Sequence, residues 1–359
     1  MTRLLHLSRR GLLGAALSAG GLATGGATEP ADDAVKLLPL PTRLYKVRDP
    51  GRNRTESWSC WLIVQTAKDE AVTLRELTLR LSAGESTVTT RQVSGAGLSP
   101  LVIDWPLPPR QPDGRAVPRP VFWRKAVRIR CVEPVGAAID AMAIELALTH
   151  GQASSMVRVT LPVETYVNKT RLIWPFRGPG VITTAGSASG GHQNRSGQFA
   201  LDGVGLSEDW GMYRPGMDQA AGAAYASWGR ELIAPANGVI VQARADRPDQ
   251  PDPENSDPAF FAPEYPDGGD PGNHLTIGHG QGEFSMLAHF QAGSMLVGVG
   301  DRVVQGQPLG KIGSSGDTVT PHCHYQLQDG PDWRWADGLP CVFSNVGMDL
   351  TRGSYFSAN

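Results

Sequence analysis

The 359-residue chain carries 33 Lys and Arg against 35 Asp and Glu, a formal net charge of −2, so it lacks the basic footprint of a nucleic-acid binder. Apolar residues make up 40% and charged residues 19%, the balance of a globular protein, and the length allows two cores. The 43 Gly and 28 Pro favour turn-rich β structure over helix bundles.

Residues 1–27 contain Arg9-Arg10, a mild apolar stretch over 11–23 and the small residues Gly25-Gly26-Ala27. A paired arginine ahead of a short apolar stretch is the form of a twin-arginine export signal. It predicts a periplasmic or extracellular protein exported by that route, with a retained N-terminal anchor as the alternative. The stretch is too short and too Gly-rich for a membrane span, which takes about 20 mostly apolar residues, so no stable span is expected. Four cysteines, Cys60, Cys131, Cys323 and Cys341, are consistent with an oxidising compartment. Their grouping suggests one bridge in each half, Cys60–Cys131 and Cys323–Cys341, and four buried thiols are the alternative. None has the C-x-x-C spacing of a thiolate zinc site.

Over residues 38–164, β-type runs appear at 58–65, 72–81, 86–92, 101–105, 126–132, 141–148 and 156–161, separated by Gly, Pro and Asp turns. Short strands at this spacing predict an immunoglobulin-like β-sandwich, an accessory domain. The run 141–148 fits a short helix equally well. No catalytic constellation falls here, and His150 beside Gly151 reads as a turn residue. A spacing, docking or groove-wall role is expected.

Residues 168–178 join the two halves. Two insertions follow. Residues 207–230 carry Trp210, Tyr213 and Trp228, and residues 246–270 are rich in Pro and Asp without hydrophobic periodicity. The second reads as an irregular acidic loop beside a cleft, restricting access or matching a cationic substrate group, or as a plain solvated loop.

Near the C-terminus, Pro321-His322-Cys323-His324-Tyr325 puts two histidines two apart in a strand-like segment. Alternation turns both imidazoles to one face and Cys323 to the other. This disfavours a Cys/His nucleophile pair, which needs the thiol beside its base. Upstream stand Gly272-Asn273-His274, Leu287-Ala288-His289-Phe290, Val299-Gly300-Asp301 and Gly313-Ser314-Ser315-Gly316. In this order and spacing, across about residues 228–330, the chain resembles the M23 (lysostaphin/LytM-like) zinc metallopeptidases. The resemblance implies a mostly antiparallel β-sheet domain (duplicated hybrid motif-like) over 172–345, a Zn2+ cofactor, and hydrolysis of peptide bonds in bacterial cell-wall peptidoglycan. Some relatives have lost the metal and regulate other wall hydrolases. A metal-free protein working with a regulatory protein partner is therefore the alternative.

The resemblance also assigns roles. His324 and Asp202, in Leu201-Asp202-Gly203, would be zinc ligands, although Asp202 could instead cap the turn before Gly203. The family's remaining ligand is a His four residues before that Asp, and here the position is Gln198. An amide is a poor zinc ligand beside imidazole or carboxylate. His192, ten residues before Asp202, is expected to fold back as the third ligand. Gln198, read as sharing a strand face with Asp202, would be a hydrogen-bonding neighbour or the alternative ligand. His289 and His322 would be catalytic, handling protons around the scissile carbonyl. His274 and His279 are left outside the site.

Overall fold

The computed structural model describes residues 35–48, 55–66, 70–104, 122–186, 192, 196–214, 222–265 and 269–359. The export-signal segment 1–27 lies outside them. No described helix is long and apolar enough to cross a membrane.

The N-terminal runs form strands because Val, Leu, Ile and Trp recur at every second position and pack on a pleated surface. They are β1 (Val35–Leu40), β2 (Leu44–Tyr45), β3 (Val47–Arg48), β4 (Thr55–Thr66), β5 (Val72–Ala83), β6 (Ser86–Ser94), β7 (Val102–Asp104), β8 (Phe122–Pro134), β9 (Ala141–His150) and β10 (Ala153–Glu164). One sheet runs β1-β4-β8-β7 with β3 on β4, and the other runs β2-β10-β9-β5-β6. Trp58, Cys60, Leu62 and Val64 of β4 meet Leu77, Leu79 and Leu81 of β5 in the core between them. Trp61 and Ile63 face the other way into a second, smaller cluster with Ala126. The run 141–148 is strand, paired on both sides by β5 and β10.

The expected disulfides are not formed; all four thiols are free. Cys60 lies opposite Ile129 and Cys131 opposite Trp58, so the two cysteines are diagonal neighbours. A diagonal offset holds side chains about 7–8 Å apart, beyond the roughly 3.5–4.5 Å between Cβ atoms that a bridge requires. Cys131 instead contacts Met142 Sδ at 3.7 Å. Cys323 is fully buried in the second core, with its thiol 3.8 Å from the His324 carbonyl. His150 is not an exposed turn residue. It ends β9, 5% exposed, with Nδ1 2.8 Å from Glu70 Oε1 and Nε2 2.9 Å from Ser155 Oγ.

The C-terminal half adds β11 (Gly178–Ala185), β12 (Leu201–Gly205), β13 (Glu231–Ile233), β14 (Gly238–Arg244), β15 (His274–Gly280), β16 (Glu283–Ala288), β17 (Arg302–Val303), β18 (Pro308–Lys311), β19 (Cys323–Gln328), β20 (Gly338–Leu339) and β21 (Tyr355–Ala358). The main sheet runs β17-β14-β15-β16-β19-β12-β11-β21, with β20 also on β19, and β13-β18 form a separate ribbon. Every pairing between these strands is antiparallel, with one isolated parallel bridge between Leu172 and Phe343, so the chain is mostly β throughout. Trp174 anchors the core, meeting Phe176, Phe343 and Phe356 edge-on at 5.1–5.5 Å. Gly203 of β12 is required by this ring, because a Cβ there would lie 2.2 Å from Trp174. The linker is pinned by buried Glu283, which accepts from Tyr166 Oη, Lys169 N and Thr170 N at 2.6–2.8 Å.

Candidate metal centre and cleft

The centre of the main sheet brings the predicted residues together through register. Asp202 of β12 lies directly opposite His324 of β19, and Ala288 of β16 lies opposite His324 on the other side. Adjacent positions on one face of an antiparallel pair hold side chains about 4.5–5.5 Å apart. Asp202 and His324 therefore meet, with His324 Nδ1 3.0 Å from Asp202 Oδ1. His192 approaches from the other side, with Nε2 2.9 Å from Asp202 Oδ2 and its ring edge-on to His324 at 4.7 Å. One ligand atom from each of His192, Asp202 and His324 lies within 4.8 Å of the others.

His289 follows β16 with φ +63°, the left-handed region that a non-glycine residue adopts only where its surroundings hold it. Its Nδ1–H donates to Ser315 O at 2.8 Å, so Nε2 keeps its lone pair. His322 precedes β19, and its Nδ1–H donates to Thr320 O at 2.8 Å, with Thr318 Oγ1 at 3.1 Å. Its Nε2 lies 3.5 Å from Asp202 Oδ1. The His289 and His322 rings are 4.8 Å apart. All four buried members of the group are less than a tenth exposed.

Electrostatics divide the group. Burial alone would raise Asp202, but the His322 and His192 imidazoles hold it well below the usual carboxylate range. Burial pushes His289 well below the usual imidazole range, and His322 and His324 add to the effect. His324 is also lowered, by burial chiefly, against the pull of the neighbouring Asp202 carboxylate. His322 goes the other way: burial opposes its charge, yet the Asp202 carboxylate and its hydrogen bond leave it raised.

These side chains line a cleft of about 760 Å³, whose other walls include Thr183, Met212, Asp270, Asp317 and Trp333. The acidic insertion forms one rim. Among its described residues it is irregular apart from a short 3-10 turn, Pro258–Phe260, capped by Asp257; Asp246 and Glu264 pair with Arg244, and two further carboxylates bind backbone N–H groups. Asp249 accepts from Ala292 N and Ser314 N, and Asp270 from Ala262 N and Gly272 N.

Gln198 departs from expectation. It sits in a 3-10 turn, Ser196–Phe199, ahead of β12, so the strand alternation that would have aimed it at Asp202 does not reach it. Its Nε2 donates to Ser59 O of the sandwich at 2.7 Å, and it lines a separate cavity of about 390 Å³ at the junction with Trp58 and Arg130. Sequence reasoning also stopped short of Gln326, whose Oε1 lies 3.0 Å from His324 Nε2. The signal was available: 322, 324, 326 and 328 alternate on one strand face.

The residues fit a zinc ion. Two imidazole nitrogens and one carboxylate oxygen, with room left in the cleft, are the donor set of a catalytic zinc site. A buried carboxylate crowded by three imidazoles is also poorly explained as structural filler.

Residues 216–334 match the model of peptidase family M23, a span that includes His289, His322 and His324 and begins after His192 and Asp202. Among solved structures, the catalytic domain of the prophage-encoded M23 protein EnpA from Enterococcus faecalis is similar at 19% identity, covering 47% of this chain and 94% of that one, with a TM-score of 0.29. The deep-sea M23 metalloprotease pseudoalterin is similar at 17% identity, covering 54% and 93%, with a TM-score of 0.31. A zinc-containing peptidase from Vibrio cholerae is 12% identical, covering 84% and 85%, with a TM-score of 0.28. No curated protein matches the chain. Over residues 216–334, about the C-terminal third of the chain, the sequence is similar to peptidase family M23.

Proposed function

We propose that the protein is a zinc-dependent endopeptidase that hydrolyses peptide bonds in bacterial cell-wall peptidoglycan, exported by the twin-arginine route to the periplasm or cell exterior. The observation that carries the chemistry is the convergence of His192, Asp202 and His324 within 4.8 Å, beside two histidines whose Nδ1 atoms are committed to carbonyls. The wall substrate and the export route rest on the motif resemblance and on Arg9-Arg10.

In this reading His192, Asp202 and His324 hold the ion, with Gln198 excluded by its bond to Ser59. A zinc ion, when bound, acts as a Lewis acid that polarises a peptide carbonyl and makes water more acidic. His289, kept neutral by burial, accepts the proton of the attacking water at Nε2. His322, raised above the usual imidazole range beside Asp202, donates in its protonated form from Nε2 to the carbonyl oxygen as charge develops, then to the leaving amine. The cleft binds an extended peptide between the acidic rim and the wall formed by Met212.

The test is digestion of wall sacculi by the purified, zinc-loaded protein and two variants. His324→Ala is expected to lose both zinc and activity. His322→Ala is expected to keep zinc and lose about 10²–10⁴-fold in turnover. Full hydrolysis by either variant would sink the assignment. A wild-type protein that binds sacculi, takes up no zinc and cuts nothing would instead be a metal-free partner of another hydrolase.

A further inference from the structure

The polar stripe on β19 continues beyond the histidine pair. His324 Nε2 lies 3.0 Å from Gln326 Oε1, Gln326 Nε2 donates to Gln328 Oε1 at 2.5 Å, and Gln328 Nε2 donates to Gly330 O at 2.7 Å. Gln326 is 1% exposed and Gln328 is fully buried, so water does not compete for these bonds. Core polar groups in such a place cost stability unless paired, and here each is paired along one line.

That line has a direction. A backbone carbonyl can only accept, so Gln328 must turn its NH₂ toward Gly330 and its oxygen toward Gln326. Gln326 must then turn its NH₂ toward Gln328 and its oxygen toward His324. Flipping either amide would set oxygen against oxygen. His324 Nε2 therefore faces an acceptor and carries the proton, and a neutral imidazole has only one N–H. Nδ1 is left with its lone pair, and Nδ1 is the nitrogen 3.0 Å from Asp202 Oδ1. A lone pair facing a carboxylate at that distance calls for a cation between or beside them. His289 is held in the opposite tautomer, its Nδ1–H donating to Ser315 O.

We infer that Gln326 is a positioning residue that locks His324 in the Nε2–H tautomer and so presents Nδ1 to the metal, with Gln328 and the Gly330 carbonyl setting the direction of the lock. The inference rests on the zinc reading for its purpose, but its first readout does not need zinc.

Imidazole ¹⁵N NMR on the metal-free full chain, at a pH where His324 is neutral, is expected to find the Nε2–H tautomer in wild type. Gln326→Glu, which keeps the acceptor, retains it, and Gln326→Leu moves it toward Nδ1–H. Gln328→Leu, which frees the Gln326 amide to turn, gives a smaller move the same way and serves if Gln326→Leu does not fold. An Nδ1–H tautomer in wild type, or no change in Gln326→Leu, overturns the inference. Chelator competition then reads zinc affinity, expected to fall about 10–100-fold in Gln326→Leu and to hold in Gln326→Glu. Equal loss in both variants would make Gln326 a packing residue only and also overturns it. A wild type that shows the Nε2–H tautomer but takes up no zinc would defeat the zinc reading while leaving the lock in place.

Discussion

The sandwich and the C-terminal half bury charge in opposite ways. In the sandwich, each buried charge meets its opposite: Glu145, 8% exposed, sits against Arg80 and Arg158, Glu56 against Lys46 at 3.4 Å, and Glu133 against Arg91. In the Glu145 and Glu133 pairs long arginine stems carry their heads toward solvent, while Lys46 also donates to Ala137 O at 3.0 Å. In the C-terminal half, Asp202 is surrounded by three imidazoles and by no Lys or Arg among the described residues. Its neighbours can accept as readily as they donate, and the set closes only with protons or a metal. A closed charge network supports a fold, whereas an open one supports a ligand.

The largest expected effect comes from opening that contrast at its centre. Asp202→Ala should weaken zinc binding by more than the roughly 100-fold typical of outer contacts, read by chelator competition, with sacculus digestion lost alongside. Glu145→Gln should lower stability by about 1 kcal/mol, the scale of a partly exposed charge network, and leave zinc affinity unchanged. If Glu145→Gln moved zinc affinity as far as Asp202→Ala did, the division between the halves would fail. Gln198→Ala probes the seam. It removes the bond to Ser59 and should cost about 0.5–1.5 kcal/mol in denaturant unfolding, an effect absent if the halves merely abut.

The smallest effect is a pH slope. Burial lowers His274 below the usual imidazole range, against its hydrogen bond to Gly272 O. Its folded pKa lies under the unfolded value of about 6.5, so between the two the unfolded chain binds more protons. Stability from this group is therefore full above about pH 6.5 and is lost as pH falls toward the folded value. His274→Gln should flatten the acid limb of Tm against pH. An unchanged limb would show that His274 is solvated in the folded protein.

Much of this was legible in the chain because strands announce themselves by period. The sandwich runs, the shared face of His322 and His324, and the burial of Cys323 behind them all follow from alternation of side chains. What was not legible depended on where alternation stops. Gln198 was misread because a 3-10 turn, not a strand, precedes Asp202, and three residues per turn rotate the side chain away. The Cys60–Cys131 bridge failed on register, a two-residue offset that composition cannot reveal. Gln326 was overlooked although the same period that paired the histidines points to it. The left-handed backbone at His289 has no sequence marker of its own.

The central claim is that His192, Asp202 and His324 form a zinc site, and metal content tests it most directly. The purified, folded protein, freed of loosely held metal, should retain about one zinc per chain, as a three-ligand catalytic site does. The His324→Ala variant should retain none, and Glu145→Gln should match wild type. A wild-type protein with no zinc, even after zinc is supplied, would contradict the account.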